Sequence, residues 1–234
     1  MLLTIIIPTY NEAAIIRKTI EFLQHNLEDK NVEIIVSDGN STDQTVEIVE
    51  SLGVNAVLSP VKGRAGQMNY AVKKAKGDVY FFLHADSEPT ADIFNVIGRA
   101  IDQGYDCGSF RTQFDSSNLL LKINAFFTRF NYLFFRGGDQ GIFVAKKLWD
   151  HIGGYKEEMV IMEDYDYIAR LWKLGVFTLI PKSTLISARK YDQNSWLTVQ
   201  LANLKVVRMY KNGASQMAMI AKYKELLRYR KNAF

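Results

Sequence analysis

Three features of the sequence predict a mixed, mainly parallel α/β sheet flanked by helices, with further helices at the C-terminus. Apolar runs at 4–8, 32–37, 56–59 and 79–83 alternate with stretches of helical apolar spacing. That order is β-α-β-α-β-α-β, which calls for crossover connections and parallel strands. Acids stand where two of the runs stop, at Asp38 and Asp86, and open α/β sheets hold ligands outside the carboxyl ends of their strands. The chain then finishes in two basic patterns of helical period.

The first run, Thr4-Ile5-Ile6-Ile7-Pro8, leads into a stripe of Ile16, Ile20, Leu23 and Leu27, spaced for one helix face. Asn11 is the expected N-cap of that helix, with Glu12 in its first turn favoured by the macrodipole. The strand at 32–37 precedes a helix beginning near Ser41, with Val46 and Val49 inward and Gly53 as its stop. After the short strand at 56–59 comes a loop with Gly63 and Gly66, then a helix at 67–76 closed by Gly77. The strand at 79–83 runs into His84-Ala85-Asp86, and the helix after Pro89 carries Ile93, Ile97 and Ile101. Further on, 107–114 reads as a strand, 118–135 as an apolar helix and 141–145 as a short strand. A helix at 163–174, strands at 176–180 and 185–188, and basic helices at 195–211 and 215–230 complete the chain. No linker divides it. Residues 1–190 are expected to form one ligand-binding domain, and 191–234 a basic amphipathic extension of it.

With 234 residues, 48% hydrophobic and 23% charged, the chain has the composition of a folded domain and can bury a sizeable core. A single cysteine, Cys107, excludes an internal disulfide and fits a reducing compartment. In its strand context it reads as a small buried hydrophobe. The opening Leu2-Leu3-Thr4 lacks a basic leader, so a cytoplasmic location is expected. The most apolar window, 119–135, holds Lys122 and Arg129 and is too short and too charged to span a bilayer. Its cluster of phenylalanines reads as core or as a contact with a second copy, with a lipid-acceptor channel as the competing reading. Residues 185–234 carry ten Lys/Arg and two acids, a net +8, which leaves −4 on the rest of a chain of net +4. A basic tail on an acidic body favours an anionic surface as partner. Nothing in it resembles a nucleic-acid module, so the expected surface is the inner face of a membrane. Leu197, Leu201, Leu204 and Val207 or Arg208 form the stripe of the first basic helix. Met219, Tyr223, Leu226 and Leu227 form that of the second, beside Lys222, Lys224, Arg228, Arg230 and Lys231.

Four stretches carry candidate chemistry. Asp38-Gly39-Asn40-Ser41-Thr42-Asp43 puts a carboxylate at a strand end, then a tight turn and a helix start, where backbone N–H groups are exposed. Lys62-Gly63-Arg64-Ala65-Gly66 offers two cations at a helix start, and arginine's planar fork suits a diphosphate. Gly137-Gly138-Asp139-Gln140-Gly141 permits close backbone approach, with Asp139 and Gln140 able to bond sugar hydroxyls. Glu163-Asp164-Tyr165-Asp166 stacks three acids at a helix front, where crowding raises a carboxylate's pKa toward that of a general base. Each stretch alone is equally readable as a polar turn or a capped helix.

Together, Ile7-Pro8-Thr9-Tyr10-Asn11-Glu12, the Asp38–Asp43 segment, Asp86 and Glu163-Asp164 resemble, in order, the motifs of the family 2 glycosyltransferases. The resemblance covers residues 1–190 and implies a Rossmann-like nucleotide-diphospho-sugar-binding fold of the A type. It also implies that Thr9, Tyr10, Glu12 and Asp38 hold the base of a nucleoside diphosphate sugar, with Arg64 near the phosphates. Asp86 would hold a divalent cation, manganese or magnesium, and Asp164 would deprotonate the acceptor hydroxyl, with Glu163 and Arg189 also lining the substrate site. The usual Asp-x-Asp is here His84-Ala85-Asp86. Imidazole tolerates manganese better than magnesium, and a ribose contact or an ordinary buried histidine is the competing reading of His84. The Gln-x-x-Arg-Trp motif of processive members is absent after Asp164, which implies single, inverting transfer to an acceptor the sequence does not name. Two other readings compete. A non-catalytic nucleotide-sugar sensor or scaffold would follow if His84 has cost the site its metal. A nucleotidyltransferase is disfavoured, because Thr9-Tyr10-Asn11-Glu12 stands where its phosphate loop would be.

Overall fold

The computed structural model describes residues 1–227. Strand β1 (Leu3–Thr9) is buried at all seven positions, as expected of a central strand covered on both faces. It pairs in parallel with β2 (Val32–Asp38) and with β4 (Val79–Phe82), and β2 pairs in parallel with β3 (Asn55–Leu58). Beyond β4 the direction changes. Strand β7 (Ile142–Ala145) is antiparallel to β4 and to β6 (Cys107–Phe114), and β8 (Phe177–Ile186) runs parallel to β6. A two-residue strand, β5 (Ser87–Glu88), closes the far edge against β8, giving the order β3-β2-β1-β4-β7-β6-β8-β5.

The strands' period of two distributes their side chains between two cores. Leu3, Ile5, Ile7, Val36, Phe81 and Phe143 point to one face. There they meet α1 (Ile16–Leu27), α2 (Thr45–Ser51) and α4 (Ile93–Asp102). Ile6, Ile35, Tyr80, Phe82, Ile142 and Val144 point to the other, covered by α3 (Arg64–Val72), α6 (Lys146–Ile152) and α7 (Glu163–Leu174). Cys107 lies fully buried in this second core. A third cluster joins α8 (Trp196–Lys211) to α9 (Gln216–Leu226) through Val199, Ala202, Val206, Met219 and Tyr223, with Ile161 beneath them.

The chain leaves β4 at Phe82 and re-enters the sheet at Ser87, four strand positions away. Five residue steps reach at most about 18 Å, whereas four flat strand spacings are about 19 Å. The sheet must therefore curl, and the register break between Phe110 and Arg111 on β6 supplies a bend of the kind a bulge makes. Leu83-His84-Ala85-Asp86 is thereby drawn across the carboxyl ends of the strands. Thr19 Oγ1 of α1 donates to the Ala85 carbonyl at 2.6 Å and pins the crossing in place.

Several expectations are corrected. Asn11 does not cap α1, which starts at Ile16 with Ile15 before it. Instead Asn11 has φ +55° and its side-chain oxygen accepts from the Thr42 amide at 2.8 Å. The amide of Asn11 in turn donates to Ser41 Oγ and that of Glu12 to Thr45 Oγ1, lacing the first two loops together. The third helix begins three residues earlier than its periodicity suggests and ends at Val72. The apolar stretch is not one helix but α5 (Leu119–Phe127) and a 3-10 turn at Leu133–Phe135. Its phenylalanines are not core, because Phe126, Phe127, Phe130 and Phe134 are all exposed. Residues 177–186 form one strand rather than two. Helix α8 turns Leu197, Leu201 and Leu204 outward and buries the adjacent face, while Met219 and Tyr223 of α9 face inward. Arg228, Arg230 and Lys231 lie outside the described residues.

Candidate active site

Above the strand ends, a line of charged side chains crosses from β1 to β8. Arg189, in a 3-10 turn after β8, places its guanidinium between two acids. It meets both oxygens of Glu12 at 3.2 Å and Asp86 Oδ2 at 2.8 Å. Although burial alone would lower it, the pairing with Glu12 and Asp86 holds the Arg189 pKa above its ordinary value. Glu12 and Asp86, 177 and 103 residues from Arg189 in sequence, are thus brought to one point.

Beside them His84 Nε2 stands 3.6 Å from Asp164 Oδ2, a charge pair rather than a direct hydrogen bond. Burial opposes charge on both groups. Their mutual attraction nevertheless raises the His84 pKa and, with help from Arg64, lowers that of Asp164. This corrects the expectation of a general base with a raised pKa at this helix front, since Asp164 is held charged. The raised carboxyls are its neighbours. Burial pushes up Glu163 despite Arg64 Nε at 2.9 Å, and burial does the same to Asp139 despite the nearby His84 and Lys190. The partner that His84 meets is Asp164.

The loop Gly137-Gly138-Asp139-Gln140 closes over Asp164. A Cβ on Gly138 would lie 2.0 Å from Asp164 Oδ2, so only glycine lets the turn settle on the carboxylate. The close approach expected for these glycines is made to the protein's own acid. Gln140 is likewise committed inward, donating to the Phe135 carbonyl at 2.6 Å and buried, so it is not placed to bond a sugar.

At the other end of the line, Asp38 is fully buried. It accepts from Thr9 Oγ1 at 3.0 Å, Ser41 N at 2.7 Å and Ser41 Oγ at 2.6 Å, which fills three of a carboxylate's roughly four lone-pair positions. Thr9 and Asp38 thus form a closed wall beside the exposed Tyr10 ring. Glu163, expected to line the substrate site, is instead buried as the partner of Arg64. Two positioning residues were not foreseen. Gln67 Nε2 donates to the carbonyls of Thr9 and Ser37, tying the ends of β1 and β2 together. Buried Arg136 donates to the carbonyls of Thr128, Phe130 and Phe110, and burial lowers its pKa to about 10. The one signal for Gln67 was its place three residues after Arg64. Arg136 gave none, being one cation beside an aromatic run.

Among the described residues no group of three or more His, Cys, Asp or Glu is arranged to hold a metal. Such a cage is not required, since magnesium-type sites often use one or two carboxylates with substrate phosphates and water. Asp86 fits that part. It is partly exposed, and a cation, the Arg189 guanidinium, already sits between it and Glu12, so positive charge is favoured at this point.

Residues 4–160 match the family model described as glycosyl transferase family 2. One relative is the GalNAc(5)-diNAcBac-PP-undecaprenol beta-1,3-glucosyltransferase of Campylobacter jejuni, 31% identical over 44% of this chain and 35% of its own. The chain spans about a third of the length of the first curated relatives it matches. Among solved structures, S. aureus TarS 1–349 in complex with UDP-GlcNAc aligns with TM-score 0.66 at 19% identity, over 81% of this chain and 59% of that one. The mannosyltransferase PcManGT of Pyrobaculum calidifontis, in complex with GDP-Man and Mn2+, aligns with TM-score 0.68 at 16% identity, over 96% and 69%. These likenesses identify the curled mixed sheet as the A-type glycosyltransferase fold. With the family model covering most of the sheet and its strand-end acids, the chain belongs to glycosyl transferase family 2.

Proposed function

We propose that the protein is a glycosyltransferase that moves one sugar from a nucleoside diphosphate sugar to a hydroxyl acceptor, with inversion and without processive extension. The observation that carries this reading is Asp164, a charged carboxylate buried at the strand ends, oriented by His84 and roofed by Gly138. The base would lie against Tyr10 over the Thr9–Asp38 wall, and the diphosphate near Arg64 and Arg189. As the acceptor oxygen attacks the anomeric carbon, its proton passes to Asp164. The bond to the diphosphate oxygen breaks with its electron pair on the opposite side of that carbon, which inverts the configuration. A divalent cation held by Asp86 with the diphosphate would neutralise charge on the departing group, and Arg189 would then yield Asp86 and keep Glu12. The UDP-GlcNAc and GDP-Man complexes of the two structural neighbours, one with Mn2+, support this donor class and cation. The absence of a Gln-x-x-Arg-Trp motif supports single transfer.

Calorimetric titration of uridine and guanosine diphosphate sugars, with and without manganese, tests the binding half. Asp86→Ala is expected to lose the metal-dependent part of the affinity. Asp164→Asn is expected to keep donor affinity while transfer, or donor hydrolysis by water, falls by about 10²–10⁴. Loss of donor binding in Asp164→Asn, or undiminished turnover, would refute the assignment. We further propose that the basic C-terminal helices favour an anionic membrane face. No helix among the described residues is long and apolar enough to cross a membrane.

A further inference from the structure

Helix α5 and the 3-10 turn after it present Leu119, Ile123, Phe126, Phe127, Tyr132 and Phe134 to the outside, between 41% and 70% exposed. Only Leu121 of α5 is buried. This is a built surface. Thr128 Oγ1 accepts from the Thr112 amide at 2.9 Å, and Arg136 holds the carbonyls of Thr128 and Phe130 from below. The rings contact one another, Phe127 stacking on Phe135 at 5.7 Å and Phe126 meeting Phe130 at 5.9 Å. Such a surface on a folded chain usually has a partner.

A second apolar stripe adjoins it. The Tyr191 hydroxyl takes a hydrogen bond from Gln200 of α8, and Asn124 of α5 lies close enough to it to lower its pKa against the larger, raising effect of burial. Leu197, Leu201 and Leu204 are neighbours of Gln200 on the helix, and all three are more than half exposed. The two stripes thus flank one tyrosine, two residues from Arg189 and next to Lys190. The charges between 116 and 135 are Lys122 and Arg129, and those on α8 are Lys205, Arg208 and Lys211, all exposed and with no acid among them. Arg129 lies 3.9 Å over the Phe126 ring, placing a cation at the apolar edge.

We infer that the α5 aromatic surface, continued by the leucine stripe of α8, seats the protein in the interfacial layer of an anionic bilayer, with the mouth of the candidate active site turned to the lipid. Exposed aromatics and five basic residues, against only the bordering Asp115 and Asp192, suit that layer. A second copy meeting the same face would set these cations against like charges. Only the orientation of the mouth rests on the transferase reading; the seating does not.

The test is co-sedimentation of the full chain with vesicles of phosphatidylcholine mixed with phosphatidylglycerol, against phosphatidylcholine alone, at low and high salt. Binding to the anionic vesicles is expected, weakened by salt. Lys122→Gln and Arg129→Gln should each reduce partitioning about fivefold, and Phe126→Ser with Phe134→Ser at least about tenfold. Asp164→Asn should bind vesicles like the wild type, which separates this result from any failure of the catalytic reading. No binding at low salt, or binding indifferent to both sets of substitutions, overturns the inference. So does a doubled mass in solution that Phe126→Ser abolishes, because the occupant is then a second copy. If the phenylalanine variants melt early, the two exposed cation variants decide alone.

Discussion

Replacing Gly138 with alanine is expected to slow turnover about a hundredfold while leaving donor affinity in place. The new Cβ would lie 2.0 Å from Asp164 Oδ2 and 2.2 Å from its Cγ, where ordinary contact begins at 3.4 Å. The carboxylate or the turn must therefore retreat by about 1.4 Å, the difference of those distances. Asp164 sits in the first turn of α7, and the oxygen that a Gly138 Cβ would strike, Oδ2, is the one paired with His84, so a side-chain rotation surrenders the charge pair that holds it ionised. A misplacement of about 1 Å at a reacting group can cost about 10² in rate. The assay is kcat at saturating donor and manganese, with water as acceptor until a better one is found, beside calorimetric donor affinity and a thermal melt. A kcat within about threefold of wild type would refute the geometry, given that two decades are expected. Loss of donor affinity as large as the loss of rate would make Asp164 part of the donor site instead of the base.

Asp166 is buried and takes bonds from Lys156 at 2.8 Å, Arg170 at 2.9 Å and Tyr210 at 2.9 Å, which outweigh burial and depress its pKa. Asp166→Asn should therefore cost about 2 kcal/mol, a fall in Tm of roughly 4–8 °C. Because the folded pKa is lowered, that stability is present above the ordinary carboxylate value near 4 and is lost as pH falls through the depressed one. Melts of wild type and variant should converge in acid, and a constant gap down to low pH would contradict this. Burial raises the Cys107 thiol to about 12, so a thiol reagent at neutral pH should label it only after unfolding; rapid labelling of the native protein would show that its strand opens. Gly98, inside α4, is the opposite of Gly138, since an added Cβ would only touch Met1 at 3.8 Å. Gly98→Ala should stabilise by about 0.5–1 kcal/mol, and a lowered Tm would show a crowding the structure does not contain.

The parallel half of the fold was legible because its signals are local. Five buried residues in a row at Leu3–Ile7, and an abrupt polar stop at Asp38 or Asp86, state a strand and its end without reference to anything distant. Gly53 stops α2 with φ +70°, as its position suggested. What could not be read was whatever a remote partner decides. Asn11 looks like a cap because its type favours caps, but Ser41 and Thr42, some thirty residues on, claim it first. The same holds in the site. Asp86, Asp164 and Arg189 were identifiable as candidates, yet nothing local says that Arg189 bridges Glu12 and Asp86, or that His84 pairs with Asp164. Of the two main readings of the aromatic run, core and contact surface, exposure rules out the first, and apolarity alone could not separate them. A periodic pattern says which residues share a face, not what that face meets.

The path from Phe127 to Asp139 has no slack. Arg136 fixes the carbonyls at its start, Gln140 fixes the Phe135 carbonyl near its end, and Gly138 is fitted against a carboxylate. Insertions and deletions, the ordinary means by which surface loops diversify, are therefore closed to this stretch. A lineage that adapts this surface must change the side chains displayed on the platform while conserving its length. Relatives should accordingly be alike in spacing here and free to differ in the identity of the exposed residues.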